Sequence, residues 1–202
     1  LDFIALADDY KLRNLIRALA LQVGNLVNFQ ELGQTTGLDY KTLKRYLGFL
    51  EKVFICRLVP PFFINKRKEL VKAPKVYFYD TGLVNTVTND FSSLEEKPNA
   101  GAILENAVFD ILVWGEAEVK FWRTKAGAEV DFVLEQGREV VPVEVKLGVR
   151  KLQVPLPLRR FIEIYHPEKA FVITQSLWGQ EEIGKAVVTF QPVWEFEKIL
   201  PT

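Results

Sequence analysis

Residue types that build disulfides and soft-metal sites are almost absent from this 202-residue chain. It contains one cysteine, one histidine and no methionine. A disulfide framework or a cysteine zinc site within one chain is therefore excluded. Cys56 lies in an apolar run, where a small buried thiol is expected, and His166, in a predicted loop before a proline, is assigned no role. The lack of methionine at position 1 predicts that the chain is a fragment of a longer one.

Two further absences exclude whole classes of function. There is no phosphate-binding loop of the form G-x-x-x-x-G-K-[ST], so nucleotide binding by that route is excluded. No apolar run approaches the ~20 residues that cross a bilayer, and the N-terminus lacks the layout of a signal peptide. We therefore expect a cytoplasmic protein with no membrane partner.

The net charge of zero hides a strongly basic segment. Residues 41–75 contain ten basic residues and two acidic ones, a net charge of +8, so the rest of the chain carries −8. A basic segment within a neutral chain predicts a polyanionic partner for that segment alone.

The first part of the chain has the pattern of a helix-turn-helix unit. Apolar residues at helical spacing predict a helix over residues 9–27. Asn28 and Asp39 are predicted N-caps of the next two helices, and Gly37 is predicted to end the helix between them. Predicted strands over 54–63 and 71–79, around a polar tip at 65–69, complete a winged helix. We place this domain at residues 1–90.

The second part of the chain, residues 91–202, has a mixed pattern of predicted helices and strands. A helix is predicted over 101–114 and three strands over 119–124, 128–136 and 139–147. A helix over 156–165 and a strand over 170–174 follow, which gives the order αβββαβ. The predicted fold class is therefore mixed, α+β or α/β.

The turn between the second and third of these strands sets their register. Gly137-Arg138 fits a two-residue type II′ turn, which requires glycine first. That turn pairs Gln136 with Glu139, and it places Asp131 opposite Glu144 and Glu129 opposite Lys146. The alternation of β-strand side chains predicts one face with Glu129, Asp131, Val133 and Glu135 and another with Val130, Phe132 and Leu134.

Facing carboxylates destabilise a hairpin unless a cation lies between them. Oxygen ligands favour Mg²⁺ or Mn²⁺, and Mg²⁺ binds one or two carboxylates together with waters and a phosphate. Lys146, on the same face as Glu144, could orient or deprotonate a water. The alternative is a solvated sheet face, on which Glu129 and Lys146 form an ordinary cross-strand ion pair.

The combination of Glu105, Asp131 and Glu144-Val145-Lys146 resembles the PD-(D/E)xK nuclease superfamily. Longer stretches are similar to the C-terminal region of prokaryotic AAA-type ATP-binding proteins, a domain of unknown function. The similar stretches are residues 19–28, 70–83, 101–106, 121–133 and 142–146.

This resemblance implies a winged helix followed by a restriction-endonuclease-like domain, with an ATPase module earlier in the same protein. It implies that Asp131 and Glu144 bind Mg²⁺ or Mn²⁺, that Lys146 assists hydrolysis and that Glu105 supports the metal. The chain departs from the RecB-like subgroup, because residues 158–165 contain no glutamine for a Gln-x-x-x-Tyr motif. That departure disfavours a processive DNA-end nuclease.

DNA is the polyanion that a helix-turn-helix unit would bind. Its second helix presents N-terminal residues to the major groove, and the wing tip would contact phosphates. The predicted nucleic-acid-binding residues are Tyr40, Lys41, Lys44, Arg45, Lys66, Arg67 and Lys68. Two hypotheses follow: a Mg²⁺-dependent deoxyribonuclease with a DNA-binding winged helix, or a non-catalytic module that binds nucleic acid or protein for the ATPase.

Overall fold

A computed structural model describes residues 9–199 of the chain and the side chains of residues 10–196. The helices are α1 (Asp9–Leu21), α2 (Phe29–Thr36), α3 (Tyr40–Lys52), α4 (Lys66–Glu69), α5 (Thr81–Thr88), α6 (Ala100–Leu112) and α7 (Leu156–Tyr165). The strands are β1 (Cys56–Val59), β2 (Lys75–Phe78), β3 (Glu118–Arg123), β4 (Glu129–Gln136), β5 (Glu139–Val145), β6 (Lys169–Thr174), β7 (Gly179–Ile183) and β8 (Ala186–Pro192). Short 3₁₀ helices cover Leu94–Glu96 and Val193–Ile199. The fold is α+β.

The helix boundaries around residues 28–39 follow the predicted caps. The Asn28 side chain accepts hydrogen bonds from the backbone N–H groups of Gln30 and Glu31, and Asp39 accepts one from Thr42. Gly37 ends α2 with a left-handed φ of 66°. These three predictions are confirmed, and they fix the start of α3.

The first helix is shorter than predicted, because it ends at Leu21 and not at residue 27. Gly24 has a φ of 77°, which a helix cannot contain. Its N–H donates to the carbonyl of Val76, and the N–H of Val27 donates to that of Pro74. The segment after α1 therefore runs beside β2, and sheet-like pairing replaces the last helical turns.

The predicted β-hairpin at residues 54–79 is only partly correct. β1 and β2 pair in antiparallel fashion, from Cys56 with Phe78 to Val59 with Lys75. Each strand has only four residues, and the predicted polar tip is the short helix α4. Asn65 explains the helix, since its side chain caps it by accepting from the N–H of Arg67.

The second half of the chain forms a six-stranded mixed sheet with the order β3-β4-β5-β6-β8-β7. β5 with β6 and β6 with β8 are parallel, and the other neighbours are antiparallel. The predicted order of elements from α6 to β6 is found. β7 and β8, which extend the sheet by two strands, were not predicted.

The register of the β4–β5 hairpin is the predicted one. Gln136 pairs with Glu139, and the ladder continues to Phe132 with Val143. Gly137 has a φ of 62° and Arg138 does not have a positive φ, as a type II′ turn requires. The sequence therefore predicted both the turn and the pairing that follows from it.

Helices cover both faces of the sheet. α6 contributes Leu104, Val108 and Phe109 to a large apolar cluster that also contains Phe132 and Val143. The same cluster includes buried residues of α1, α3 and β2, so the two halves of the chain share one core. On the other face, Leu158, Phe161 and Ile162 of α7 pack in a second cluster.

Candidate functional site

A β-bulge in β4 shapes the region around Asp131. Lys120 of β3 pairs with Val133, but Trp122 pairs with Val130, so two residues of β4 oppose one of β3. Bulges of this kind redirect side chains and are frequent beside functional sites. Asp131 is one of the two bulged residues.

The bulge makes the predicted faces of β4 wrong. Val130 and Val133 lie together in the cluster beneath α7, whereas Phe132 and Leu134 lie in the cluster beneath α6. An extra residue in a strand reverses the alternation beyond it. Glu135 accordingly binds Lys120 and Lys66, away from Glu129.

Asp131 and Glu144 lie where β4 and β5 separate. The ladder between these strands ends at Phe132 and Val143, so the predicted cross-strand pair of Asp131 with Glu144 is absent from it. Instead the Asp131 Oδ2 accepts a hydrogen bond of 2.8 Å from the N–H of Val145. Both carboxylates are buried, with 6% and 2% of each residue exposed.

Glu144 is incompletely satisfied. Its Oε1 lies 2.6 Å from the Nζ of Lys146, whereas its Oε2 is buried and has no hydrogen-bond partner among residues 10–196. A buried, unpaired carboxylate oxygen is costly unless it binds a proton or a cation. A proton on this oxygen would satisfy it, and so would a bound cation.

Glu105 approaches from α6. Its Oε2 accepts a hydrogen bond of 3.1 Å from the Tyr77 hydroxyl and lies 3.7 Å from the Nζ of Lys75. Gly24 lies against the same atom, since a Cβ there would be 3.3 Å from Glu105 Oε2. The N-terminal half of the chain thus closes the site on the α6 side.

Burial raises the pKa of all three acids. It raises the pKa of Glu105 to about 7 and that of Glu144 to about 8, and in both the negative charge of Asp131 adds to the effect. The pKa of Asp131 is raised as well, mainly by burial. The three carboxyl groups therefore interact with one another, and full ionisation requires a neighbouring positive charge.

Lys75 supplies part of that charge, and sequence reasoning missed its role. It is 2% exposed, and its Nζ lies 2.6 Å from Glu129 Oε1 and 5.6 Å from the centre of the Phe121 ring. Burial alone would lower the pKa of Lys75, but the charges of Glu105 and Glu129 more than offset this and raise it. The available signal was a lysine between Pro74 and the apolar run Val76-Tyr77-Phe78.

The alternative ion pair of Glu129 with Lys146 is not formed. Glu129 pairs with Lys75 and, at 3.2 Å, with Arg123, whereas Lys146 pairs with Glu144. The face is not a solvated sheet surface either, because Asp131, Glu144 and Lys75 are buried.

The donor set fits a divalent ion only in part. Among residues 10–196, no group of three or more His, Cys, Asp or Glu side chains is gathered closely enough to hold a metal ion. Two carboxylates with one orphaned oxygen do match the sparse protein ligation of Mg²⁺, which retains several waters. Asp131 and Glu144 are the residues that would hold the ion.

The predicted nucleic-acid-binding residues of α3 share one exposed surface. Tyr40, Lys41, Lys44 and Arg45 are all exposed at the start of the helix. The Nζ of Lys44 lies 5.0 Å from the centre of the Tyr40 ring. Tyr40 and Lys44 also line an open groove of about 1040 Å³, whose other wall is the segment 69–74.

The three basic residues predicted for the wing tip differ in their contacts. Lys66 binds Glu69 and Glu135, so its charge is already compensated. Arg67 and Lys68 are exposed on α4. Neither forms an ion pair with a described residue, so both stay available for the predicted phosphate contacts.

Comparisons with known proteins give similarity without a described activity. Residues 2–94 match the model of a "Domain of unknown function (DUF8612)", and residues 100–196 match that of a "Domain of unknown function (DUF4143)". Two uncharacterized proteins, Rv2008c of Mycobacterium tuberculosis and Mb2031c of Mycobacterium bovis, are each 29% identical over 171 residues. The similarity covers 79% of this chain but 39% of each relative.

Within residues 9–199, no helix combines the length and apolar character needed to cross a membrane.

Proposed function

We propose that residues 91–202 form a PD-(D/E)xK-type phosphodiesterase domain that hydrolyses DNA with Mg²⁺ or Mn²⁺. The proposal rests on one observation: the buried acids Asp131 and Glu144 lie together where β4 and β5 separate. The negative charge of Asp131 raises the pKa of Glu144, and Glu144 Oε2 has no hydrogen-bond partner among the described side chains. The order of elements from α6 to β6 supports it.

Each residue has a role that its position supports. Asp131 and Glu144 would hold the divalent ion, and the bulge and the Val145 N–H fix the Asp131 carboxylate. A bound ion would supply Lewis-acid stabilisation of a phosphoryl oxygen and acidify a water. Lys146, half exposed beside Glu144, would orient that water or stabilise negative charge as it develops. Glu105 would support the ion through water from α6.

The first part of the chain, residues 1–90, would act as a DNA-binding winged helix. The exposed α3 residues would enter the major groove, and Arg67 and Lys68 would contact phosphates. The net charge of +8 over residues 41–75 supports this proposal. The whole protein would include an ATP-binding module, and the larger size of the mycobacterial relatives is consistent with additional domains.

A second candidate is a non-catalytic binding module that serves the ATPase. The buried or half-buried acids Glu105, Glu129, Asp131 and Glu144 form an acid cluster. The observation in favour of the second candidate is Lys75, an internal cation that already neutralises Glu105 and Glu129. An internal lysine can stabilise such a cluster without a metal ion.

Cleavage of plasmid DNA separates the two candidates. The 202-residue chain is incubated with supercoiled plasmid and increasing Mn²⁺ or Mg²⁺, beside the variants Asp131→Asn and Lys146→Ala. Asp131→Asn retains an oxygen that can accept from the Val145 N–H, so the fold should be preserved. We expect at least about a 100-fold loss of cleavage in each variant.

Matched controls are available on exposed positions. Glu139→Gln removes a carboxylate from the same hairpin, and Lys151→Ala removes an exposed lysine; both should cleave like the unmodified chain. Cleavage that persists in Asp131→Asn and Lys146→Ala would reject the proposed site. DNA binding with no metal-dependent cleavage by the unmodified chain would favour the binding module.

A further inference from the structure

A second cavity, next to the acid cluster, has a mostly apolar wall and several basic residues in its lining. It measures about 680 Å³ and lies between the end of α7, the β3–β4 turn and the segment 68–73. Among the described residues that line it, none is acidic and four are basic: Lys68, Lys72, Arg123 and Lys125. In a chain with zero net charge, such a concentration predicts an anionic ligand.

Most of this charge is available to a ligand. Within the part of the chain that the structure describes, Lys68, Lys72 and Lys125 form no ion pair, and all three are exposed. Arg123 uses one nitrogen to bind Glu129, and a guanidinium has further donors. The rim can therefore bind several negatively charged groups at once.

Two half-buried aromatic residues, Phe63 and Tyr165, line the cavity. Phe121 and Trp122 also border it but are buried, and the Trp122 Nε1–H donates to the Tyr165 hydroxyl at 3.1 Å. This bond holds the two rings perpendicular to each other, with centres 6.2 Å apart. The partly exposed rings of Phe63 and Tyr165 form an aromatic wall beside the basic residues, which suits a ligand with flat rings and phosphates.

The cavity is connected to the acid cluster through two of its lining residues. Arg123 binds Glu129, whose other oxygen binds Lys75. The ring of Phe121 lies beneath the same lysine. Both sites also lie at one end of the sheet, where β3 ends and β4 begins.

We propose that this cavity binds single-stranded nucleic acid, with an unstacked base against the aromatic wall and phosphates on Lys72 and Lys125. The strand would continue along Arg123 to the acids at Asp131. An acidic peptide would satisfy the cations but not the aromatic wall, so a nucleic-acid strand fits better. This inference rests on the proposed function, because the bound strand would be the substrate of the nuclease site at Asp131 and Glu144.

Binding is measured by fluorescence anisotropy with a labelled oligo(dT) of about ten nucleotides, in EDTA so that cleavage plays no part. The Lys72→Ala/Lys125→Ala double variant should bind about tenfold more weakly near 0.15 M salt, because each phosphate contact to a single strand contributes about 0.7 to the slope of log K against log salt. The slope should fall by about 1.4. Lys151→Ala/Lys185→Ala, two exposed lysines elsewhere, is the control and should bind normally.

Two competitors test the base and the polymer class. An abasic oligonucleotide of equal charge should bind about fivefold more weakly or worse, since stacking of one base contributes about 1 kcal/mol or more. Poly-glutamate should compete poorly.

Unchanged affinity in the Lys72→Ala/Lys125→Ala variant, equal binding of the abasic strand, or tighter binding of poly-glutamate would each overturn the inference. The binding assay contains no divalent ion and measures no cleavage. Oligo(dT) binding that depends on Lys72 and Lys125, in a chain that cuts no plasmid, would therefore reject the nuclease proposal and leave this one standing.

Discussion

Replacing Lys75 with methionine removes the internal cation of the acid cluster and keeps a side chain of similar length over the Phe121 ring. Lys75 is buried beside Glu129 at 2.6 Å and Glu105 at 3.7 Å. Removing one partner of a buried ion pair typically costs about 3–5 kcal/mol. Because the two glutamate side chains remain 25% and 20% exposed, solvent screens part of their charge. We expect a loss near the lower end, about 3 kcal/mol near pH 8.

Two conditions should restore stability to this variant. Near pH 5.5 Glu105 accepts a proton, because burial and the charge of Asp131 place its pKa at about 7, so fewer negative charges need compensation. Mn²⁺ should also replace the missing charge. Lys75 interacts electrostatically with Asp131, and removal of a nearby like charge shifts neighbouring equilibria by about one order of magnitude or more. Mn²⁺ should therefore bind at least about tenfold more tightly than to the unmodified chain.

The assay is urea unfolding of Lys75→Met at both pH values, with EDTA or with Mn²⁺. Lys120→Met is the matched control, since Lys120 is 1% exposed and binds Glu69, Glu118 and Glu135 away from the site. Lys120→Met should also lose stability. Mn²⁺ should not restore it, because Lys66 still neutralises Glu69 and Glu135 and leaves no free pair of carboxylates for the ion. Equal stability of Lys75→Met and the unmodified chain near pH 8, or equal rescue of both variants, would refute this reasoning.

Three further outcomes are expected. In EDTA, the free energy of unfolding should fall by about a few kcal/mol from pH 5 to pH 8. Burial raises the folded pKa of Glu105 to about 7 and that of Glu144 to about 8. The folded state therefore binds more protons than the unfolded chain in this range. Denaturant midpoints that rise with pH would contradict this sign. Asn106→Leu should destabilise the chain by about 3 kcal/mol in urea unfolding, since its amide satisfies the backbone of β2; a loss below about 1 kcal/mol would count against that role. Gly137→Ala should cost about 1–2 kcal/mol at its φ of 62°, whereas Gly101→Ala, in a helix with open space around it, should be neutral or stabilising.

The local rules of turns and caps were enough to predict much of the fold. Gly137-Arg138 determined the β4–β5 register, and Asn28, Gly37 and Asp39 determined the boundaries of two helices. The same rule applied to Gly184-Lys185 would have found the β7–β8 hairpin. Its flanking residues Ile183 and Ala186 pair across a glycine with a φ of 61°.

The features that determine the geometry of the acid cluster are not local. The β4 bulge depends on how β3 pairs with β4, and no residue type in residues 129–133 requires it. Without it, alternation places Glu135 with Asp131, whereas the structure places Glu135 with Lys120. Lys75 is brought to Glu129 by packing between the two halves of the chain, so a pattern within either half could not reveal the contact.

Isothermal titration of Mn²⁺ into the purified chain tests most directly whether Asp131 and Glu144 bind a divalent ion. We predict one ion for each chain, binding that weakens as pH falls through the raised pKa values, and loss of binding in the Asp131→Asn/Glu144→Gln double variant but not in Glu139→Gln. Absence of binding at millimolar Mn²⁺, or equal binding by the double variant, would contradict the metal site.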